Sequence, residues 1–196
     1  MRCVYCYNPE IVLGKGQLKL EAALTFIASR KHLIAGVVFS GGECTLYPQL
    51  GELAVAVKAM GLAVKLDTNG TRPQVLEHFI QQGWVDYVAL DFKAPLEKYN
   101  AITKTNLFES FVASLTVLIN AGIPFEVRTT IHHALLSRED LSDMLLFLEK
   151  MGYTGCYYLQ LFVNDVPTLG CLRLSYYPAD WIPPSTDRIQ VVLRHQ

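Results

Sequence analysis

Apolar residues along this chain follow two alternating spacings, and the alternation is repeated five times. Leu20, Leu24 and Ile27 stand at helical intervals within residues 18–34, and after Gly36 comes the continuous apolar run VVFS. Pro48 opens a second helical stretch with Leu50, Leu53, Ala54 and Val57; Gly61 closes it and LAVKLDTNG follows. A third unit starts at Pro73 with Leu76, Phe79 and Ile80, ends at Gly83 and runs into VDYVALDFK. Residues 107–121 put Phe108, Phe111, Leu115 and Leu118 on one face and lead through Gly122 into PFEVRTTIH. Ser137 and Asp140 form an S-x-x-D cap for a helix carrying Leu141, Met144, Leu145 and Leu148, and GCYYLQLF follows Gly152. Proline in the first turn and glycine just past the last are the expected start and stop residues of a helix.

Helix-then-strand units of this kind predict parallel strands joined by helical crossovers. The strands are short apolar runs, as expected where both sheet faces are covered. An open doubly wound sheet and a β/α barrel both fit, and the polar residues separate them. Ser40 to Glu43 end the first strand, Asp67 to Gly70 the second, and Asp91 and Lys93 the third. Thr129, Thr130, His132 and His133 end the fourth, and Gln160 lies late in the fifth. Polar groups at nearly every carboxyl end are barrel usage, whereas an open sheet collects them at one switch point. The predicted fold is therefore α/β, a partial (β/α)6 TIM-like barrel over residues 1–162. Because the chain opens on a loop and a helix, a first strand is expected upstream of Met1, leaving the edge near Val37–Ser40 unpaired. Residues 163–196 lack the repeat, contain Pro167, Pro178, Pro183 and Pro184, and read as a wrapping tail of the same domain. Tyr176, Tyr177 and Trp181 would cover the barrel, meet a partner or simply pack.

Composition narrows the class. The chain has 196 residues, is 51% apolar and carries a net charge of −1 without long runs of either sign. That suits one well-buried domain and argues against a nucleic-acid surface or a polybasic membrane anchor. Its apolar stretches are interrupted well short of a bilayer span, and no signal peptide precedes Cys3. Five cysteines, an odd number without a secretory context, read as reduced thiols and a cytoplasmic location.

Two of those cysteines, Cys3 and Cys6, stand two residues apart in RCVYCYNPE. A zinc site needs two further ligands, and the other cysteines are isolated; a thioredoxin-type pair usually carries proline between its thiols, where Val4 and Tyr5 stand. Two unremarkable thiols is the bland alternative. Read together and in order, RCVYCYNPE, FSGGECTLYPQL, LDTNGTRP, VDYVALDFKAPLEKY and VRTTI resemble the radical S-adenosylmethionine (SAM) enzymes. Within these, the chain is most similar to the activating proteins of anaerobic ribonucleoside-triphosphate reductase, from Cys3 to about Phe162.

The resemblance implies a [4Fe–4S] cluster held by Cys-x3-Cys-x2-Cys, with SAM on the open iron. Cys3 and Cys6 match the second and third cysteines and Tyr5 the aromatic residue before the last, lying near the adenine. The first cysteine would fall upstream of Met1, so Met1 is expected to be an internal methionine of a longer chain, and two thiolates to hold a cluster weakly. Gly41, Gly42 and Glu43 match the loop that meets the SAM amino group; Asp67, Asn69, Lys93 and Arg128 match further SAM contacts. Asp67, Thr68 and Asp91 match positions that hold a monovalent cation in related activases. Plain structural readings stand beside these: a glycine turn for SGGE, rim ion pairs for Asp67, Asp91 and Lys93, and rim lining for Arg128 and Thr130. Cys44 replaces a proline common in the family and is not expected to be a ligand. Of His132 and His133, at most one is expected to face the site, since neighbours on a strand point opposite ways, and the favoured reading is a solvated loop pair. Cys156 reads as a small core residue and Cys171 as a loop thiol. No extra cysteines follow Glu10, so no auxiliary clusters are expected. The implied partners are the glycyl-radical loop of anaerobic ribonucleotide reductase and a reduced flavodoxin or ferredoxin-type electron donor. Activation of another glycyl-radical enzyme, of the pyruvate formate-lyase type, and an inactive remnant are the alternatives.

Overall fold

The structure is a computed structural model that describes residues 1–14 and 18–194. Six strands form one sheet in the order of the sequence: β1 (Gly36–Phe39), β2 (Ala63–Thr68), β3 (Tyr87–Asp91), β4 (Phe125–Ile131), β5 (Gly155–Leu161) and β6 (Ile189–Arg194). The pairs β1–β2, β2–β3, β4–β5 and β5–β6 are parallel. A doubly wound sheet reverses its order at a switch point, and this sheet does not reverse; sequential order is barrel topology. The predicted (β/α)-type fold is therefore the one observed, with β1 at the sheet's edge.

The helices are α1 (Pro9–Leu13), α2 (Leu20–Ala28), α3 (Leu50–Ala59), α4 (Pro73–Gln81), α5 (Leu96–Thr103), α6 (Phe108–Ala121) and α7 (Arg138–Lys150). The cap read at Ser137 is a full capping box: Asp140 N donates to Ser137 Oγ at 3.2 Å, and Ser137 N to Asp140 Oδ2 at 2.6 Å. Among the described residues no single helix is long and apolar enough to cross a membrane.

The fold departs from the sequence reading in two places. The segment after Phe162 is more than a tail, because Ile189–Arg194 adds the sixth strand, in register with β5 from Gly155↔Ile189 to Gln160↔Arg194. Helix α5 was also not expected. Its sequence LEKYNAIT is polar on balance, and it is held by burial of Tyr99, Ile102 and Thr103 rather than by a strong apolar stripe.

The chain divides into two compact units. One comprises Ile11–Leu90 and Ser110–Phe125; its core is built on Val64 and Leu66 of β2, Val88 and Leu90 of β3, Leu76 and Phe79 of α4, and Phe111, Leu115 and Leu118 of α6. Each such side chain contributes about 1.5–3 kcal/mol by leaving water. Gly70 is required here. Its φ is +72°, and a Cβ would stand 2.8 Å from Leu90 Cδ1 and 3.2 Å from Ser114 Cβ. Ser114 Oγ donates to the Gly70 carbonyl at 2.7 Å, locking the turn after β2 onto α6. The second unit comprises Met1–Glu10, Asp91–Glu109 and Glu126–Gln196. Phe92, Phe108 and Phe147 pack there with ring centroids 5.6 to 6.4 Å apart, and Tyr99 meets Phe108 edge-on at 5.3 Å.

Candidate functional site

In the second unit the cysteine segment is pinned from both sides. Arg2 N and Val4 N donate to the carbonyls of Thr103 and Ile102 at the end of α5, and Leu169 N and Gly170 N donate to those of Cys6 and Val4. Gly170 has to be glycine, since a Cβ would lie 2.7 Å from Val4 Cβ and 2.8 Å from Val4 O. Between these anchors the chain turns, with Cys6 N donating to Cys3 O at 3.0 Å. Cys3 and Tyr5 are buried and Cys6 is half-buried. The buried Tyr5 hydroxyl has no hydrogen-bond partner among the described residues, and burial, followed by the neighbouring Cys3, pushes its pKa up.

Beside this turn stands a charge cluster at the end of β3. The Asp91 carboxylate accepts from Lys93 Nζ through Oδ2 at 3.0 Å, and from Arg128 Nε and Nη2 through Oδ1, each at 3.0 Å. All three side chains are largely buried, at 20%, 16% and 11% exposure for Asp91, Lys93 and Arg128, and the Asp91 carboxylate is shared by both cations. Lys93 Nζ lies 5.7 Å over the Tyr5 ring. Burial works against the Lys93 ammonium, but Asp91 and Cys3 outweigh it and its pKa is raised. Burial likewise pushes the Cys3 thiol up, and the Lys93 charge opposes that rise. The environment therefore favours a bound, charge-compensated thiolate over a free one.

The two thiols are soft donors of the kind that bind iron–sulfur clusters, which is the fit this turn offers. Among the described residues no group of three His, Cys, Asp or Glu side chains stands together to hold a metal ion. The turn accordingly offers two thiols, Cys3 and Cys6.

In the first unit the loop after β1 holds the other predicted positions. Gly41 has φ +126°, and Gly41 and Gly42 leave exposed backbone with nothing closer than 3.8 Å to a Cβ at either position. Glu43 faces inward: Oε1 accepts from Thr45 N at 3.2 Å, Thr45 Oγ1 at 2.6 Å and Thr68 Oγ1 at 2.7 Å, while Oε2 accepts from Asn69 N at 2.7 Å. Cys44 is buried, its thiol donates to the Asp67 carbonyl at 3.3 Å, and burial raises its pKa to about 12. It is a tie between two strand ends. Asn69 Oδ1 accepts from Thr71 N at 3.1 Å, an Asx-type turn. Asp67 lies 3.7 Å from Lys65. The three positions read as a cation site already have partners: Thr68 is bonded to Glu43, Asp67 pairs with Lys65, and Asp91 with two cations.

Over residues 1–151 the chain matches the radical SAM superfamily. It belongs to that superfamily. Its members use a [4Fe–4S] cluster and SAM. Among curated relatives, this radical SAM chain is 32% identical to the "putative glycyl-radical enzyme activating enzyme" of Methanocaldococcus jannaschii, over 74% of the chain and 62% of the relative. It is 24% identical to the S-adenosylmethionine-dependent nucleotide dehydratase of Flammeovirga pacifica, over 74% of the chain and 54% of that protein. The match thus spans less than two thirds of either relative's length. The fold is shared with Streptococcus suis SuiB bound to S-adenosylmethionine, at TM-score 0.72 and 11% identity, over 98% of this chain and 47% of that one.

The histidine pair departs from expectation. His132 and His133 follow the last residue of β4, so strand alternation does not govern them, and their rings stack at 5.1 Å with 14° between planes. His132 is buried; its Nε2 lies 2.9 Å from Arg173 O, and its Nδ1 accepts from Ala134 N at 3.2 Å. This pattern fixes a neutral ring with Nε2–H donating. His133 N donates to Ser175 Oγ at 3.1 Å, and its ring stacks on Tyr176 at 4.2 Å. The pair fastens residues 173–176 to the end of β4.

Burial and the neighbouring His133 lower the His132 pKa below its ordinary 6.5. The stability it confers is therefore full above about pH 6.5 and is lost as pH falls from there toward the folded pKa, because the unfolded chain takes up the proton first. Protonation also sets an N–H against Ala134 N–H. Protection factors for amide exchange across residues 164–177, corrected for the intrinsic pH dependence of exchange, should fall between about pH 7 and pH 5. His132→Gln, which keeps one donor and one acceptor, should flatten that dependence; an unchanged pH profile would refute the clasp.

Sequence reading missed a second buried carboxylate. Glu126 on β4 is 5% exposed and lies 3.4 Å from Arg194 of β6, whose guanidinium stacks 3.7 Å over the Tyr158 ring of β5. The signal was available in the alternation Glu126, Arg128, Thr130, which puts three polar side chains on one face of a strand. Cys156 belongs to the face of Tyr158, half-buried with Sγ 3.7 Å from Gln190 Oε1, and is not a core residue. Cys171 is exposed, with φ 50°.

Proposed function

We propose that this chain is the radical-generating part of a glycyl-radical activating enzyme, and that its substrate is anaerobic ribonucleoside-triphosphate reductase. The likeness to the Methanocaldococcus jannaschii protein supports the activase reading over other radical SAM chemistries. The ordered motifs from Cys3 to Phe162 support the reductase as partner, with a reduced flavodoxin or ferredoxin as electron donor. Cys3 and Cys6 hold the cluster. When bound, the cluster and SAM supply the one-electron chemistry that removes a hydrogen atom from a glycine Cα.

The chain's own residues place and shield that chemistry. Burial of Cys3 and Tyr5 keeps water from the Cys3 thiol, and Lys93, oriented by Asp91, compensates thiolate charge. Gly41 and Gly42 offer bare backbone to the SAM amino group, on a loop braced from behind by Glu43. Asn69, Asp67 and Arg128 contact further polar groups of SAM.

The test is anaerobic reconstitution with iron and sulfide, followed by reduction with SAM and purified reductase. We expect 5′-deoxyadenosine together with a glycyl-radical doublet in the electron paramagnetic resonance spectrum of the reductase. Cys3→Ser and Cys6→Ser should each abolish both. A doublet on pyruvate formate-lyase but not on the reductase would transfer the assignment to that partner; no SAM cleavage by the reconstituted chain would end it.

A further inference from the structure

Past the end of β5 the second unit contains a cavity of about 560 Å³, lined by Phe162, Val166, Leu172 and Leu174 with Tyr176, Asp165 and Arg173. None of Asp91, Lys93 and Arg128 belongs to its lining. Its wall, residues 163–176, is pre-organised. Asn164 and Ser175 exchange two backbone-to-side-chain hydrogen bonds of 2.8 and 2.9 Å. Tyr177 Oη accepts from Phe162 N at 2.8 Å and donates to Ile131 O at 3.2 Å, while His132 holds the Arg173 carbonyl. The same wall continues into Leu169 and Gly170, which bond to Cys6 and Val4. Whatever fills the cavity is therefore held on a segment fastened to the cysteine turn.

The lining chemistry narrows the occupant. The interior is apolar and larger than one aromatic side chain, so it admits a side chain with part of its backbone. Two exposed charges of opposite sign stand in the lining, Asp165 and Arg173, and neither makes an ion pair with another described residue. Asp165 is held at φ 63°, a conformation that costs an aspartate free energy and that asparagine tolerates well. A ligand carrying only one sign of charge would leave one of the two groups unanswered.

We propose that the cavity docks an extended segment of the polypeptide substrate, seating an aromatic or aliphatic residue that has a basic and an acidic neighbour for Asp165 and Arg173. This rests on the activase reading, in which the substrate is a polypeptide. Ordering costs on the enzyme side are small because the wall is already fixed, so a short peptide is a fair probe.

The experiment measures binding of fluorescent, capped pentapeptides to the whole chain: Gly-Lys-Phe-Glu-Gly, its charge-swapped order, and versions with glutamine at both charged positions or glycine in place of phenylalanine. One charged order should bind about fivefold or more tighter than the glutamine and glycine versions. Asp165→Asn and Arg173→Gln should each erase the advantage of charge, and both change exposed side chains without touching the backbone bonds that hold the wall. Equal binding of all peptides, no binding up to about 1 mM, or equally tight binding of free phenylalanine overturns the proposal. The outcome is independent of SAM cleavage. Radical formation without peptide binding would remove the docking pocket and leave the activase reading, and peptide binding without SAM cleavage would do the reverse.

Discussion

Replacing Asp91 with alanine should destabilise the protein by about 3–5 kcal/mol, the range found when one partner of a buried ion pair is deleted. The carboxylate is the counter-ion shared by two nearly buried cations, Lys93 and Arg128, with contacts of 3.0 Å to each. Without it Lys93 and Arg128 each lose a 3.0 Å charged contact in a poorly solvated place. Against a total stability of about 5–15 kcal/mol this is a large fraction. For a chain of this size it corresponds to a fall in Tm of about 6–20 °C. Asp91→Asn should be little better. Whichever way the amide is turned, its NH2 faces one of the two cationic donors, and the charge is missing in either orientation. Removing a cation as well, in Asp91→Ala with Lys93→Met, should recover part of the loss, because the double variant no longer leaves the Lys93 ammonium without its counter-ion. Thermal denaturation of the metal-free protein checks all three. The same measurement separates a counter-ion from a cation ligand: exchanging potassium for choline should leave the wild-type Tm unchanged, whereas a bound potassium would raise it by mass action. An Asp91→Ala protein that melts with the wild type would show that the triad carries no stability.

Much of this architecture could be read before any coordinates, for identifiable reasons. The helices at Pro48, Pro73 and Ser137 carry local start signals and a clear apolar face, and each has a glycine stop, so α3, α4 and α7 fall close to where periodicity put them. Parallel strands collect polar residues at their carboxyl ends, which is why Glu43, Asp67 and Asp91 stood out. Strand β6 escaped because IQVVLR follows a proline-rich stretch with no helix to announce a crossover, and its place is set by pairing with β5. Partners could not be read at all where they come from another strand. The sequence marks Glu43 as a polar loop residue but does not reveal that its donors lie on Thr68 and Asn69, or that Cys44 is tied to Asp67. Glu126 and Arg194 are 68 residues apart and meet only because β5 brings β4 and β6 to its two edges. Stacking of His132 on His133 depends on the strand ending at Ile131, a boundary that periodicity places only to within a few residues.

Glu43 gives the second large expected effect, and it falls on structure before chemistry. Four donors converge on its carboxylate, three on Oε1 and one on Oε2, and Thr45, Thr68 and Asn69 are themselves buried. Glu43→Ala removes the acceptor for all of them. Water reaching the cavity would satisfy some, but each buried donor left unanswered costs about 1–3 kcal/mol, and a net loss of about 2–4 kcal/mol is expected. Glu43→Gln is the sharper test because it preserves volume. The amide oxygen can accept from Thr45 and Thr68 only by turning its NH2 toward Asn69 N–H, and the opposite orientation sets that NH2 against the two hydroxyls. Either orientation sets the NH2 against one backbone N–H, that of Asn69 at 2.7 Å or that of Thr45 at 3.2 Å, while the two hydroxyls can rotate to accept; the oxygen should therefore turn to Asn69, the nearer of the two backbone donors. Glutamine is accordingly expected to lose about half as much stability as alanine, with amide exchange at Asn69 and Gly70 accelerated in the alanine variant and nearly normal in the glutamine variant. If Glu43 instead acts mainly as a SAM contact, both variants would melt with the wild type and differ from it only in SAM affinity. The loop that carries Gly41 and Gly42 is held against the end of β2 by the four bonds of this carboxylate, with the Cys44 thiol adding one to Asp67 O, so a stability loss in the alanine variant should precede and exceed any effect that can be assigned to SAM alone.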